Sequence, residues 1–226
     1  MKTLKRMRFH MEVVWRTLYF YFKFPLSLRQ VAELMLDRGV RVSHMSVYNW
    51  LMRFGPELEE KFRKYKAPLN GSWRIDETYI RIKGEWKYLY RAVDRHGQTV
   101  DFLLTAHRDL KAAKRFFKKA MKQNGSPQKA TIDKSGANLA AREAVNEDRR
   151  NKIEIRQNRY LNNLVEQDHR SVKKRVRPML GFKRFTSARI IIAGIEILAM
   201  IAKGQLAYLP LLHRTAHDAY WALVQA

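Results

Sequence analysis

A chain of 226 residues holds one catalytic core plus a small accessory module, or one larger domain. Lys and Arg number 45 against 21 acidic residues, and the formal net charge of +24 calls for a polyanionic partner. Nucleic acid fits, because basic residues are interleaved with aromatics along the whole chain, while the lack of cysteine excludes disulfides, thiolate zinc sites and a cysteine nucleophile.

In chain order, residues 10–23 read as an aromatic-rich helix that Pro25 ends. Arg16 and Lys23 interrupt its apolar run, which argues against a signal peptide. Ser27 caps a helix through Leu28, Val31, Leu34 and Met35; Gly39 supplies a turn; Ser43 starts a second helix through Val47, Trp50, Leu51 and Phe54 to Gly55-Pro56. This pair reads as a helix-turn-helix. Its exposed residues, His44, Ser46, Tyr48, Asn49 and Arg53, suit phosphate and base-edge contacts. An ordinary helical hairpin with a polar outside is the plainer alternative, and the charge favours the DNA reading.

The expected organisation is a helix-turn-helix module at 1–55, a basic linker at 56–72, a catalytic core at 73–206 and a tail at 207–226. From Trp73 the pattern changes to strands: Trp73–Lys83, Trp86–Asp94 and Thr99–Thr105, joined by turns at Lys83-Gly84-Glu85 and His96-Gly97. A helix over Asp109–Lys122 follows, then short strands at Lys129–Asp133 and Ile153–Gln157 with a helix between them. Helices over Asn162–Gln205 are broken around Pro178 and Gly181. The segment Ile190–Ala202 contains Glu196 and is too short to span a bilayer, so it reads as a core helix; a cytoplasmic protein without a membrane partner is expected. The order β-β-β-α-β-α-β-α is that of an α/β ribonuclease-H-like mixed sheet, here preceded by the helix-turn-helix.

Three acids stand where that fold places reactive carboxylates. Asp76 lies inside the first strand and shares a face with Arg74 and Thr78, opposite Trp73, Ile75 and Tyr79. Asp133 ends the fourth strand, at a carboxyl edge where open sheets build sites. Glu166 lies a quarter-turn off the centre of the apolar stripe Leu161, Leu164, Val165, Val172 and Val176. In-line cleavage of a phosphodiester needs charge stabilised on the attacking and leaving oxygens. Two divalent ions about 3.5–4 Å apart do this, and hard carboxylates hold them. Lys173, about two helical turns after Glu166, can reach a phosphate beside the ions. Each acid also has a structural reading: Asp76 paired with Arg74, Asp133 capping a helix, Glu166 bridged to Arg170. Their joint placement in a chain this basic favours catalysis. Rival acids are Glu77, Asp94, Asp101 and, most seriously, Asp168.

Several stretches resemble the insertion-sequence transposases of family six. They are Pro25-Leu26-Ser27-Leu28-Arg29, Asp76-Glu77-Thr78-Tyr79, Tyr88-Leu89-Tyr90-Arg91-Ala92-Val93-Asp94, Thr131-Ile132-Asp133-Lys134, Tyr160 to His169, and Leu180-Gly181-Phe182-Lys183. The resemblance spans roughly residues 8–206. It implies a DDE triad at Asp76, Asp133 and Glu166, the family's basic residue at Lys173, and Mg²⁺ or Mn²⁺ as cofactor, two ions in number. It also implies binding of terminal inverted repeats and target DNA, strand cleavage and transfer, and at least a homodimer, in a bacterial cytoplasm at the nucleoid. Arg170, Lys173, Lys174 and Arg177 are further expected DNA contacts. Many relatives carry Pro and Tyr after the second aspartate, whereas Lys134-Ser135-Gly136-Ala137-Asn138 follows here. Two other readings share these features: a catalytically inactive or regulatory helix-turn-helix protein, and a related integrase or structure-specific nuclease.

Overall fold

Three helices precede the sheet in this computed structural model, which describes residues 8–69, 71–132, 146, 152–157, 170, 172–207 and 215–226. They are α1 (Met11–Lys23), α2 (Leu28–Asp37) and α3 (His44–Tyr65). Ser27 begins α2 with a full capping box: its hydroxyl accepts from Gln30 N–H while the Gln30 side chain accepts from Ser27 N–H. Ser43 caps α3 by accepting from Ser46 N–H.

The helix expected to stop at Gly55-Pro56 runs on to Tyr65. The buried stripe Val47, Leu51, Phe54, Leu58 and Phe62 keeps helical spacing straight through Pro56, which lies exposed. Tertiary burial of that stripe outweighs the local breaker. Gly55 is there for a close approach: a Cβ at this position would come within 2.5 Å of the Ile190 side chain. The basic linker expected at 56–72 is therefore helical over its first ten residues and continuous with the second helix of the expected helix-turn-helix.

The sheet begins with β1 (Ser72–Ile82), β2 (Glu85–Asp94) and β3 (Thr99–Thr105), an antiparallel meander. The β1–β2 turn has two residues, Lys83 at φ 52° and Gly84 at φ 81°, the left-handed pair that matches the twist of the flanking strands. Helix α4 (Leu110–Asn124), capped by Asp109, leads to β4 (Lys129–Ile132), which lies parallel to β1; β5 (Glu154–Gln157) lies parallel to β4. The order β3-β2-β1-β4-β5 is the expected ribonuclease-H-like mixed sheet.

Both faces of the sheet are covered, but by different partners. Trp73, Ile75, Tyr90, Ala92, Ala130 and Ile132 pack against Phe116, Phe117 and Ala120 of α4. The opposite face contributes Ile80, Ile82, Leu89, Phe102 and Leu104 to a larger core with the helices. Strand β1 thus changes its buried side along its length, from Trp73 and Ile75 to Thr78, Ile80 and Ile82. This is why a single alternating stripe does not describe it.

Helix α5 (Phe185–Ala202) lies at the heart of the larger core. It is long and apolar enough to cross a membrane by length and composition, yet its buried residues pack on α1 and α3, and Glu196 forms an ion pair with Arg91 of β2. Gly194 permits the contact with α1: a Cβ there would sit 2.2 Å from the Phe22 ring. The tail of open role includes α6 (Ala216–Gln225), which is core structure. Its Tyr220 is fully buried and donates to the Trp15 carbonyl at 2.9 Å, and Leu223 and Val224 pack beside it.

Candidate active site and nucleic-acid interface

Asp76 sits at mid-strand on the centre of the sheet, partly exposed, on the face turned towards α5. Its partner across the antiparallel ladder is Arg91. That side chain is fully buried and ion-paired to the equally buried Glu196. A fixed cation–anion pair thus underlies the strand position that carries Asp76. Neither Arg91 nor Glu196 was singled out as functional in the sequence, because their meeting depends on a separation of 105 positions along the chain.

The other two acids, Asp133 and Glu166, lie outside the described residues. Their chain neighbours are informative. Ile132 is the parallel partner of Ile75, so each of the two aspartates follows, by one peptide, a member of a paired couple. Lys173 lies in the helical segment 172–176, whose Val172 and Val176 join the same core as Ile80 and Ile82. That segment packs on the sheet face shared by Asp76. Lys173 is half-buried; Arg170, Lys174 and Arg177 are exposed. Among the described residues, no group of three His, Asp or Glu side chains forms a ready metal cluster.

Three of the rival acids have structural work. The Asp94 carboxylate accepts from His96 N–H at 2.8 Å and Gln98 N–H at 2.9 Å, closing the β2–β3 turn. Asp101 is buried and ion-paired to Arg63 at 3.2 Å and Lys119 at 3.4 Å, tying α3 to the sheet. Glu77 faces away from Asp76 and pairs with Arg108 at 2.9 Å. Asp168 lies outside the described residues.

The N-terminal helical region presents a separate open groove of about 510 Å³. Ser46, Asn49 and Arg53 line it from α3, together with Arg8, Arg41 and Trp50. Arg8 and Arg41 were missed because they come from two other segments that meet α3 only in the fold. Phe9 packs edge-to-face on Trp50 at 5.3 Å and so anchors the strand of chain that carries Arg8. His44 is exposed at the first turn of α3. Tyr48 points elsewhere: it is half-buried, and its hydroxyl shares a 2.9 Å hydrogen bond with Ser187 of α5. Helical spacing places it on the side that meets α5.

A DDE-domain family profile matches residues 70–205. The chain is 36% identical over 197 residues to the transposase for insertion sequence-like element IS431mec of Staphylococcus aureus, covering 87% of both chains. It belongs to the family-six insertion-sequence transposases. The transposase for insertion sequence element IS257 in transposon Tn4003, also from Staphylococcus aureus, matches with the same identity and coverage. Among solved structures, the HTLV-2 integrase catalytic core domain aligns with a TM-score of 0.45 and 16% identity, over 70% of this chain and 97% of that one.

Proposed function

We propose that this family-six transposase binds the terminal inverted repeats of its own element, cleaves DNA at their ends and joins the freed 3′ hydroxyls to target DNA. The observation that carries the reading is the register of the central strands: Ile75 pairs with Ile132, and each is followed directly by an aspartate. Adjacent strands lie about 4.8 Å apart, so this pairing favours a shared site for Asp76 and Asp133. The helix of Lys173 packs on Asp76's side of the sheet, which is the side Glu166 needs. Relatives matched across most of both chains are named transposases, which disfavours the regulatory alternative.

A DDE core depends on divalent metal. An all-oxygen donor set of three carboxylates fits Mg²⁺ or Mn²⁺, and Asp76 is partly exposed on a rigid strand, as a metal ligand should be. Asp76, Asp133 and Glu166 would hold two ions, which supply Lewis-acid stabilisation of charge on the reacting phosphate. The remaining chemistry belongs to the chain. Lys173 neutralises and orients the phosphate, and the Arg91–Glu196 pair fixes the strand position of Asp76. The groove of Ser46, Asn49 and Arg53 reads the element end, with His44 and the exposed Arg170, Lys174 and Arg177 on the DNA backbone. Two ends must be held together, so the working form is at least a homodimer, acting on the bacterial nucleoid in the cytoplasm.

The test is an end-cleavage assay with Mg²⁺ on Asp133→Asn and Glu166→Gln proteins. Both are expected to bind element ends like the unaltered protein and cut none. Cleavage by either at the normal rate would refute the assignment.

A further inference from the structure

Beside the cations assigned to the reacting DNA lies an aromatic surface to which the cleavage chemistry gives no role. The β1–β2 hairpin extends past the end of α4's cover. Tyr90 stacks on Phe116 of α4 at 5.7 Å and Tyr88 is half-buried at the margin of that cluster, but Tyr79 and Trp86, further along the same sheet face, have no helix over them among the described residues. Tyr79 is 54% exposed and Trp86 60% exposed. Tyr79 lies 5.4 Å from Tyr88 and 6.2 Å from Trp86, so the rings form one continuous patch.

The patch opens onto a groove of about 400 Å³ between β1 and the segment 173–181. Leu180 stands at its rim, 89% exposed and in the left-handed conformation at φ 55°. It is held out by a tight join: Phe182 N–H donates to the Arg81 carbonyl, and a Cβ at Gly181 would lie 2.9 Å from that same oxygen. The charged side chains lining the groove, among the described residues, are Arg81, Lys173 and Arg177, all cations.

We propose that this groove holds unpaired nucleotides of the reacting DNA strand, with bases stacked on Tyr79 and Trp86 and phosphates on Arg81, Lys173 and Arg177. Aromatic rings beside cations are the combination that binds single strands, since every base offers a π face that pairing and stacking in a duplex would hide. A second copy of the chain is the poorer occupant, because each copy carries a net charge of +24 and would bring cations against cations. The position also fits. β4 pairs with β1 only as far as Ile75, which leaves the edge beside Asp76 without a strand among the described residues, up to the bridge from Phe182 to Ile82. Tyr79 lies about 10 Å along β1 from Asp76 at strand rise and on the strand's other face, so a DNA strand reaching both passes round this open edge. The distance along β1 is roughly three nucleotides at stacked spacing. The proposal rests on the chain being a DNA-transferring enzyme and adds that it holds the end melted.

The test measures binding of the full chain by fluorescence anisotropy in the presence of chelator, so that no cleavage occurs. One probe is a blunt duplex and the other is the same duplex with a 3′ oligothymidine extension. The extension should tighten binding about tenfold, the Tyr79→Ala/Trp86→Ala protein should lose that preference, and Trp86→Phe should keep most of it. Blunt-duplex affinity should be unchanged in all variants, which shows that they remain folded. No preference in the unaltered protein, or a preference that survives the double substitution, overturns the proposal. So does conversion of an oligomer to a monomer in sedimentation with the preference intact, which would assign the patch to contact between copies. Failure to bind either probe would instead refute the DNA-transfer reading itself.

Discussion

Arg91 stands directly across the β1–β2 ladder from Asp76, and its guanidinium is paired with the Glu196 carboxylate of α5 inside the core. Removing one member of a buried pair leaves the other charge without its counterion, at a cost of about 3–5 kcal/mol. Glu196→Ala should therefore lower the urea midpoint strongly. Replacing both members, as Arg91→Met with Glu196→Leu, should cost much less than the sum of the single changes. Urea unfolding of the double-mutant cycle measures this; simple additivity would show that the two residues do not act as a pair.

Gly194 sets how close α1 and α5 approach. With Phe22 ring carbons 2.2–2.5 Å from where a Cβ would lie, Gly194→Ala forces a shift in a packed core. Overpacking of this kind costs about 1–3 kcal/mol. Thermal unfolding should show a clearly lowered midpoint, with cleavage activity at low temperature preserved. A protein as stable as the original would mean that the two helices are free to separate.

The C-terminal helix is expected to be indispensable for folding. Tyr220→Phe deletes the buried hydroxyl and leaves the Trp15 carbonyl without that donor, a loss of about 1–2 kcal/mol. Truncation before Thr215 strips Tyr220, Leu223 and Val224 from the core and should yield insoluble protein. A soluble, DNA-binding truncation product would contradict this.

Lys66 gives the stability a definite pH dependence. Burial pushes its ammonium down to about 8 from the ordinary 10.5, although Asp101 opposes the shift. Between those values the unfolded chain binds the proton and the folded chain does not, so stability contributed at this site rises with pH across the window. Denaturation of Lys66→Met should lack that rise when compared with the unaltered protein between about pH 8 and about pH 9.5, below the range where the buried tyrosines ionise. Its Nζ donates to Asn124 at 2.9 Å, so the variant must be judged by its slope and not by its absolute stability.

At the helix-turn-helix, Arg53→Ala should weaken binding to all duplexes and reduce the salt dependence by about one counterion, as a phosphate contact does. Asn49→Ala should instead reduce discrimination between the element end and unrelated DNA. Anisotropy titrations at several salt concentrations separate the two outcomes. A change of salt slope in the Asn49 variant alone would reverse the assignments.

What could be read from the sequence depended on how locally each feature is encoded. Strand β3 and the helix starts at Ser27 and Ser43 follow from alternation and from short polar signals and stand where they were expected, while Asp109, read as the first residue of a helix, caps it. The end of α3 was misjudged because Gly55-Pro56 looks like a stop locally, while the packing of Leu58 and Phe62 that carries the helix onward is tertiary. Helix α5 is longer than the Ile190–Ala202 run, since Phe185 to Arg189 belong to it without being continuously apolar. The place of Asp76 within β1, on the face of Arg74 and Thr78, was legible from alternation. The Arg91–Glu196 pair, the inward turn of Tyr48 and the open aromatic patch were not, because each depends on which helix covers which part of the sheet.

The central claim is that Asp76 holds a divalent ion directly, and replacing its hard oxygen donor by a softer one tests this. Asp76→Cys should cleave element ends poorly with Mg²⁺ and recover partly with the softer Mn²⁺, while Asp76→Asn stays inactive with either. Normal Mg²⁺-dependent cleavage by Asp76→Asn would contradict the claim.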